Sequence, residues 1–232
     1  MDIERLLQSR ALRSTRGGRP FKTFFGMYSE VLEVQKADTS KFTPKLRWVL
    51  EKQSVITMIT ASEVYFRDML DGIFRVCKPE AFRPVLKEIY KSKHDIDDLL
   101  DFHVRRVHPL ELIVDSFNFQ NPAIIASVFD KLIRKPLWKS VIGMSFRIKD
   151  QPKSEFSLDA DYLAAFERSL QLRHELIHNP NSSRRKLKKD EWNDLHSIAG
   201  LIFGCDVVLN NFISEHLDDE VKRQLKKASL EV

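Results

Sequence analysis

Cysteine is nearly absent: Cys77 and Cys205 are the only two in 232 residues, and no C-x-x-C spacing links them. Neither a disulfide framework nor a thiolate zinc site is suggested by so few, so far apart. Both lie in apolar periodic stretches, where a reduced thiol behaves as a small hydrophobe. Glycine is also scarce, at 7 residues. No run of about 18 apolar residues occurs, so no membrane span is expected. The N-terminus MDIERLLQSR carries acids and lacks an apolar stretch, so it does not read as a signal peptide. Internal repeats and low-complexity segments are missing. The expected setting is the reducing cytoplasm.

What is present is the material of a soluble globular fold: 43% hydrophobic and 31% charged residues. The length suffices for one generous domain or two small ones. A net charge of +5 and a pI near 9.1 are compatible with a nucleic-acid partner. Apolar residues recur mostly at three- and four-residue spacing, the signature of helix, and the expected fold is all-α. Helices are expected over 2–13 and 21–36, around the basic loop Arg16-Gly17-Gly18-Arg19-Pro20. Thr43-Pro44 opens a long helical region to about Cys77, broken at most once. Shorter helices are expected over 80–92 and from Asp95 to 107. In 108–156, with Pro109, Pro122, Pro136 and Gly143, the pattern supports a helix at 122–134 and a short extended piece at 144–149. A helix starting at Ser157 or Asp159 stops at Asn179-Pro180. Asp190 is expected to cap a helix from Glu191 to about Leu217, and Asp218 to start a charged tail helix. The organisation expected is one helical domain over 1–232, with 80–156 a subdomain or insertion. The helix over 159–178 is expected to pack against those at 48–77 and 191–217.

Residues 171–180, QLRHELIHNP, carry two overlapping motifs. His174-Glu175-Leu176-Ile177-His178 fits H-E-x-x-H, in which histidines at i and i+4 hold zinc and the glutamate activates water. That reading needs a third ligand from elsewhere, for which Glu215 and Asp219 are downstream candidates. It also expects the helix to continue past its second ligand, whereas Asn179-Pro180 stops it. Arg173 and His178, four residues between them, form R-x4-H.

Arg173-His174 and His178-Asn179 together resemble the motif of the HEPN superfamily, in which R-x4-6-H sits at a helix end of a helical bundle, commonly with Asn, Asp or His after the arginine. The likeness is specific over about eight residues and extends beyond them only to a bundle with a long helix on either side. It implies a metal-independent ribonuclease without cofactor, usually a homodimer, serving as a toxin, a defence effector or an RNA-processing factor. An inhibitory or triggering partner protein is implied with it. The alternatives are a non-catalytic module that binds RNA, nucleotide or protein, and the zinc hydrolase.

The chemistry suits the residue types. Cleaving RNA without metal requires a base for the 2′-hydroxyl proton, an acid for the leaving oxygen, and cations for the phosphate. Histidine serves as either acid or base near neutral pH, and arginine forks onto phosphate. On a regular helix Arg173 and His178 stand about 140° apart. They converge only through the helix end and the reach of arginine, or across a two-fold dimer that brings two motifs to one cleft. The same cations at a helix C-terminus are also what the helix dipole favours structurally.

Around this core, the expected catalytic residues are Arg173, His178 and His174, with Asn179 and Glu63 supporting. Glu63 interrupts the apolar stripe Ile56, Ile59, Phe66, Leu70, Phe74 and needs a partner there, either Arg67 or Arg173. Asp206 interrupts a second stripe and competes with it. Arg184, Arg185, Lys186, Lys188 and Lys189 put five cations within eleven residues of His178, suited to RNA phosphates or simply a solvated basic loop. Arg10, Arg13, Arg16, Arg19 and Lys22 repeat at three-residue steps, suited to extending an RNA track or, more simply, a solvated face. The tryptophans and phenylalanines read as core, and the other five histidines as structural or surface residues.

Overall fold

In the computed structural model the described residues are Glu4, Leu7, Gln8, Arg10, Ala11, 19–91, 94–148, 151–179 and 185–230. Of the first expected helix only Glu4, Leu7, Gln8, Arg10 and Ala11 are described, all helical; most of the Arg16–Pro20 loop lies outside the described residues. Most of the described residues are helical, and among them the only strands are those of one hairpin. Ten helices are described: α1 (Pro20–Lys36), α2 (Pro44–Val76), α3 (Pro79–Ile89), α4 (Ile96–Val104), α5 (Pro109–Asp115), α6 (Pro122–Ile133), α7 (Leu137–Val141), α8 (Ala160–His178), α9 (Lys189–His216) and α10 (Asp219–Leu230). Strands β1 (Ser145–Ile148) and β2 (Gln151–Ser157) stand between α7 and α8.

Local chemistry accounts for most boundaries. Thr43 Oγ1 accepts the Leu46 N–H at 3.2 Å with Pro44 at the first helical position, and α2 then runs unbroken for 33 residues. Asp95 caps α4 by accepting the Asp98 N–H, and Asp159 caps α8 through the Asp161 N–H. Two short helices escaped the sequence reading. α5 follows His108, whose ring accepts the Leu110 N–H, and α7 is only 5 residues long; neither contains enough turns to show periodicity. The cap of α9 differs from expectation. Lys189 is already helical, and Glu191 reaches back to the Lys188 N–H at 2.7 Å, half of a capping box. Asp190 thus lies inside the first turn.

The chain divides into two units: 1–20, 66–135 and 209–232 in one, 21–65 and 136–208 in the other. Residues 80–156 supply α3–α6 to the first and α7 with the hairpin to the second. In the first unit, α3 packs against α6, and Lys131 Nζ donates to the Glu88 carbonyl at 3.3 Å. Phe66, Phe119 and Phe129 form an aromatic core with centroids 5.6 to 6.4 Å apart. A bridge between Cys77 and Leu217, with the Lys78 N–H on the His216 carbonyl, ties the ends of α2 and α9 together.

In the second unit, Gly200 and Gly204 of α9 allow a close approach. A Cβ at Gly204 would stand 2.6 Å from both Val141 and Leu158, and one at Gly200 2.7 Å from the Tyr162 ring. α8 therefore packs on α9 as expected. The hairpin was expected only as one extended piece. Phe146 pairs with Phe156 and meets Phe203 of α9 edge-on at 4.7 Å. Its base is closed by the Gly143 N–H on the Leu158 carbonyl at 2.6 Å. Gly143 has φ +93°, a conformation that favours glycine.

α9 also bears on the expectation of no membrane span, which rested on uninterrupted apolar runs. Averaged over 18 residues its mean hydropathy reaches 1.5, so by length and composition alone it is apolar enough to cross a membrane. Here 39% of that apolar stretch is buried, with Leu195, Ile198, Leu201, Ile202 and Cys205 fully so.

Candidate functional site at the end of α8

The last turns of α8 expose a histidine pair. The residue before a proline is pushed out of helical conformation, and Asn179 leaves the helix at φ −119°, ψ 72°, its N–H still donating to the Glu175 carbonyl at 2.8 Å. α8 stays regular through His178, so His174 and His178, four apart, share a face. Their rings lie 4.3 Å apart between centroids at 45°, and both residues are exposed. Arg173 is on a different side: half-buried, its Nε shielded from water, on the side of buried Ser169 and Leu176. His174 and His178 are thus brought into ring contact on one face of α8. Asn179 is exposed and Glu63 half-buried. Asp206 has a defined role instead: it accepts the Tyr65 hydroxyl at 3.2 Å. Burial first, and the Asp206 charge second, hold that phenol well above its usual pKa.

The basic loop is held by carboxylates. Arg185 forks onto Glu191, Nη1 to Oε2 at 2.7 Å and Nη2 to Oε1, a charge-assisted bidentate pair. Burial pushes the Glu191 carboxyl up, but Arg185 and the Lys188 N–H outweigh it and leave it below its ordinary value. The Leu187 N–H donates to Glu51 Oε2 at 2.6 Å, while Glu51 Oε1 accepts from Arg47 Nε at 3.0 Å. Glu51 is only 6% exposed. Lys186, Lys188 and Lys189 are exposed; Arg184 lies outside the described residues.

Sequence reasoning missed Glu51, although it lies on the buried face of α2 with Ser54, Val55, Met58 and Ser62, and that spacing was legible. It also missed a network on α8. Arg168 Nε and Nη2 donate to Asp194 at 2.9 and 2.6 Å, and Nη1 and Nη2 to Asp161 at 3.0 and 3.3 Å. These bonds raise the guanidinium pKa. Arg168, Gln171, Leu172 and Glu175 line one side of a groove of about 610 Å³ whose other residues include Arg185, Lys188, Asp190, Glu191 and Asp194. With Asp161 it holds five carboxylates against three cations, a poor track for a polyphosphate backbone.

For metal chemistry the histidine pair offers two imidazoles. Among the described residues no three His, Cys, Asp or Glu side chains gather to hold an ion, and α8 ends at His178 itself. Four of the other five histidines have structural contacts, His108 among them as the cap of α5. His196 Nδ1 meets Tyr28 Oη at 2.9 Å, and His94 Nε2 meets Tyr90 Oη at 2.7 Å. His216 Nδ1 lies 2.9 Å from the Phe212 carbonyl. Compared with protein-family models, curated proteins and solved structures, the chain matches none.

Proposed function

We propose that the chain is a metal-independent endoribonuclease, the reading implied by its likeness to the HEPN motif. The observation that carries it is the exposed His174–His178 ring pair at 4.3 Å. One neutral imidazole takes the 2′-hydroxyl proton, and the 2′-oxygen bonds to phosphorus. The bond from phosphorus to the 5′-oxygen breaks as a protonated imidazole supplies that oxygen with its proton. Products end in a 2′,3′-cyclic phosphate and a 5′-hydroxyl. Single-stranded RNA is the expected substrate, because its 2′-hydroxyl is free to align for in-line attack. Lys186, Lys188 and Lys189 are the cations that would meet phosphate. In this reading the Arg173 that acts on phosphate comes from a second copy across a two-fold axis. A homodimer then contributes cations rather than the second histidine, since one chain already carries two.

The test is RNA incubated with the full chain in excess chelator. Cleavage to cyclic phosphate ends that disappears in His178→Ala supports the reading. Cleavage that chelator abolishes removes it and favours the zinc alternative. A second reading is a non-catalytic binding module. It draws on the Arg185–Glu191 fork and the five carboxylates of the α8–α9 groove, which hold cations away from phosphate. Binding of RNA or protein with no product would favour it.

A further inference from the structure

Scattered exposed hydrophobics are ordinary on a protein surface, but a contiguous run of them is not. Among the described residues nine large hydrophobics are exposed, and four of these lie on the nine-residue helix α4: Ile96 at 68%, Leu99 at 51%, Leu100 at 55% and Val104 at 76%. At about 100° per residue these four and His103 form one continuous arc about 140° wide. The opposite side is narrow. Phe102, 5% exposed, packs with Val107 and Leu112 and anchors the helix. α4 is thus amphipathic with its broader apolar face turned to water, the reverse of a helix serving only its own core.

The charges beside that arc indicate what it accepts. Asp97 and Asp101 follow Val104 around the helix and form one edge of the arc, and both are exposed. Among the described residues neither takes part in an ion pair. Asp95 and Asp98 add to the negative charge at the N-terminal end. A second copy of α4 fits poorly. Antiparallel two-fold pairing sets the Asp97–Asp101 edge against the same edge of its mate, and parallel pairing brings both aspartate-rich ends together; like charges are costly in either case. We infer that the outer face of α4 is a docking surface for an amphipathic helix of another protein, with aliphatic residues at i, i+3, i+4 and i+7 and lysine or arginine along one flank. The partner's aliphatics cover Ile96, Leu99, Leu100 and Val104, and its cations meet Asp97 and Asp101. This inference stands independently of the ribonuclease reading, because α4 contains none of the residues that reading uses.

The test uses the full chain and fluorescence anisotropy with two synthetic helical peptides. Both carry leucines at i, i+3, i+4 and i+7; one has lysines along a flank and the other glutamates there. The lysine peptide is expected to bind about tenfold tighter or better, with a preference that shrinks as salt is added. The double variant Leu99→Ser, Leu100→Ser weakens it by about tenfold or more. The double variant Asp97→Asn, Asp101→Asn removes the preference for lysine while some binding remains. Equal binding of the two peptides overturns the inference, as does unchanged lysine-peptide affinity in the leucine variant. So does a concentration-dependent dimer in sedimentation velocity that the leucine variant dissolves, because the occupant is then a second copy. The substituted side chains face solvent, so circular dichroism should be unchanged; if the leucine variant unfolds, the aspartate variant decides alone.

Discussion

Arg168 and the pair His174–His178 sit within three turns of one helix and have opposite circumstances. Arg168 is held by two carboxylates, Asp161 and Asp194, through four hydrogen bonds of 2.6 to 3.3 Å. The two imidazoles face water and touch each other. A side chain with every guanidinium nitrogen engaged has a structural reason to be where it is. The two exposed imidazoles have only the helix dipole to favour them there, and their exposure and mutual contact make the end of α8, not its middle, the place for the chemistry.

The sharpest way to break that contrast is to truncate each half. His178→Ala is expected to lower RNA cleavage by about 10²- to 10⁴-fold, the usual contribution of a general acid or base, and to leave the thermal midpoint unchanged. His174→Ala should fall in the same range. Glu175→Gln, which would abolish a zinc hydrolase, should have little effect. Arg168→Ala should do the reverse of His178→Ala, losing about 1 kcal/mol of stability with cleavage intact, read by thermal melts beside the RNA assay. If Arg168→Ala abolishes cleavage and His178→Ala does not, the contrast is inverted and the site lies in the groove.

Next in size is Glu51, which carries the contrast into the basic loop. Glu51→Ala leaves the Leu187 N–H and Arg47 without their acceptor and should cost about 1 to 3 kcal/mol in denaturant unfolding. Limited proteolysis near 185–189 should speed up more than the global loss of stability explains.

A smaller effect comes from His196, the structural counterpart of the exposed pair. Burial lowers its pKa, so below the ordinary imidazole range the unfolded chain takes up a proton that the folded one resists. Its contribution to stability is therefore complete above about pH 6.5 and falls as the solution is acidified below that, through the depressed folded value. Thermal melts from about pH 7.5 down to 5.5 should show the decline, and His196→Gln should flatten it. Smallest of all, both thiols should resist alkylation in the folded protein. Burial pushes the Cys77 thiol up to about 11 and raises Cys205 further, leaving little thiolate to react. Mass spectrometry after brief iodoacetamide treatment should find them unmodified until denaturant is added.

The helical class and most boundaries were legible in the sequence, because caps and stops act within a few residues. Thr43-Pro44, Asp95, Asp159 and Asn179-Pro180 each mark an end that the structure has. The hairpin was half legible: β1 fell in the expected extended piece, while β2 makes sense only once Phe146 has Phe203 to pack against. In the candidate site, the i, i+4 spacing of His174 and His178 predicts ring contact. The same helical geometry leaves Arg173 and His178, five residues apart on an unbroken helix, on different sides.

What the sequence determined by itself is therefore short-range: helix after helix, their ends, and the shared face of two histidines. Tertiary structure alone decided which charges are engaged. Arg168 finds Asp194 26 residues away, and Leu187 finds Glu51 136 residues away. No local spacing encodes such pairs, because hydrogen-bonded charges need their partners within about 3 Å, and only the packed fold determines which distant residues come that close.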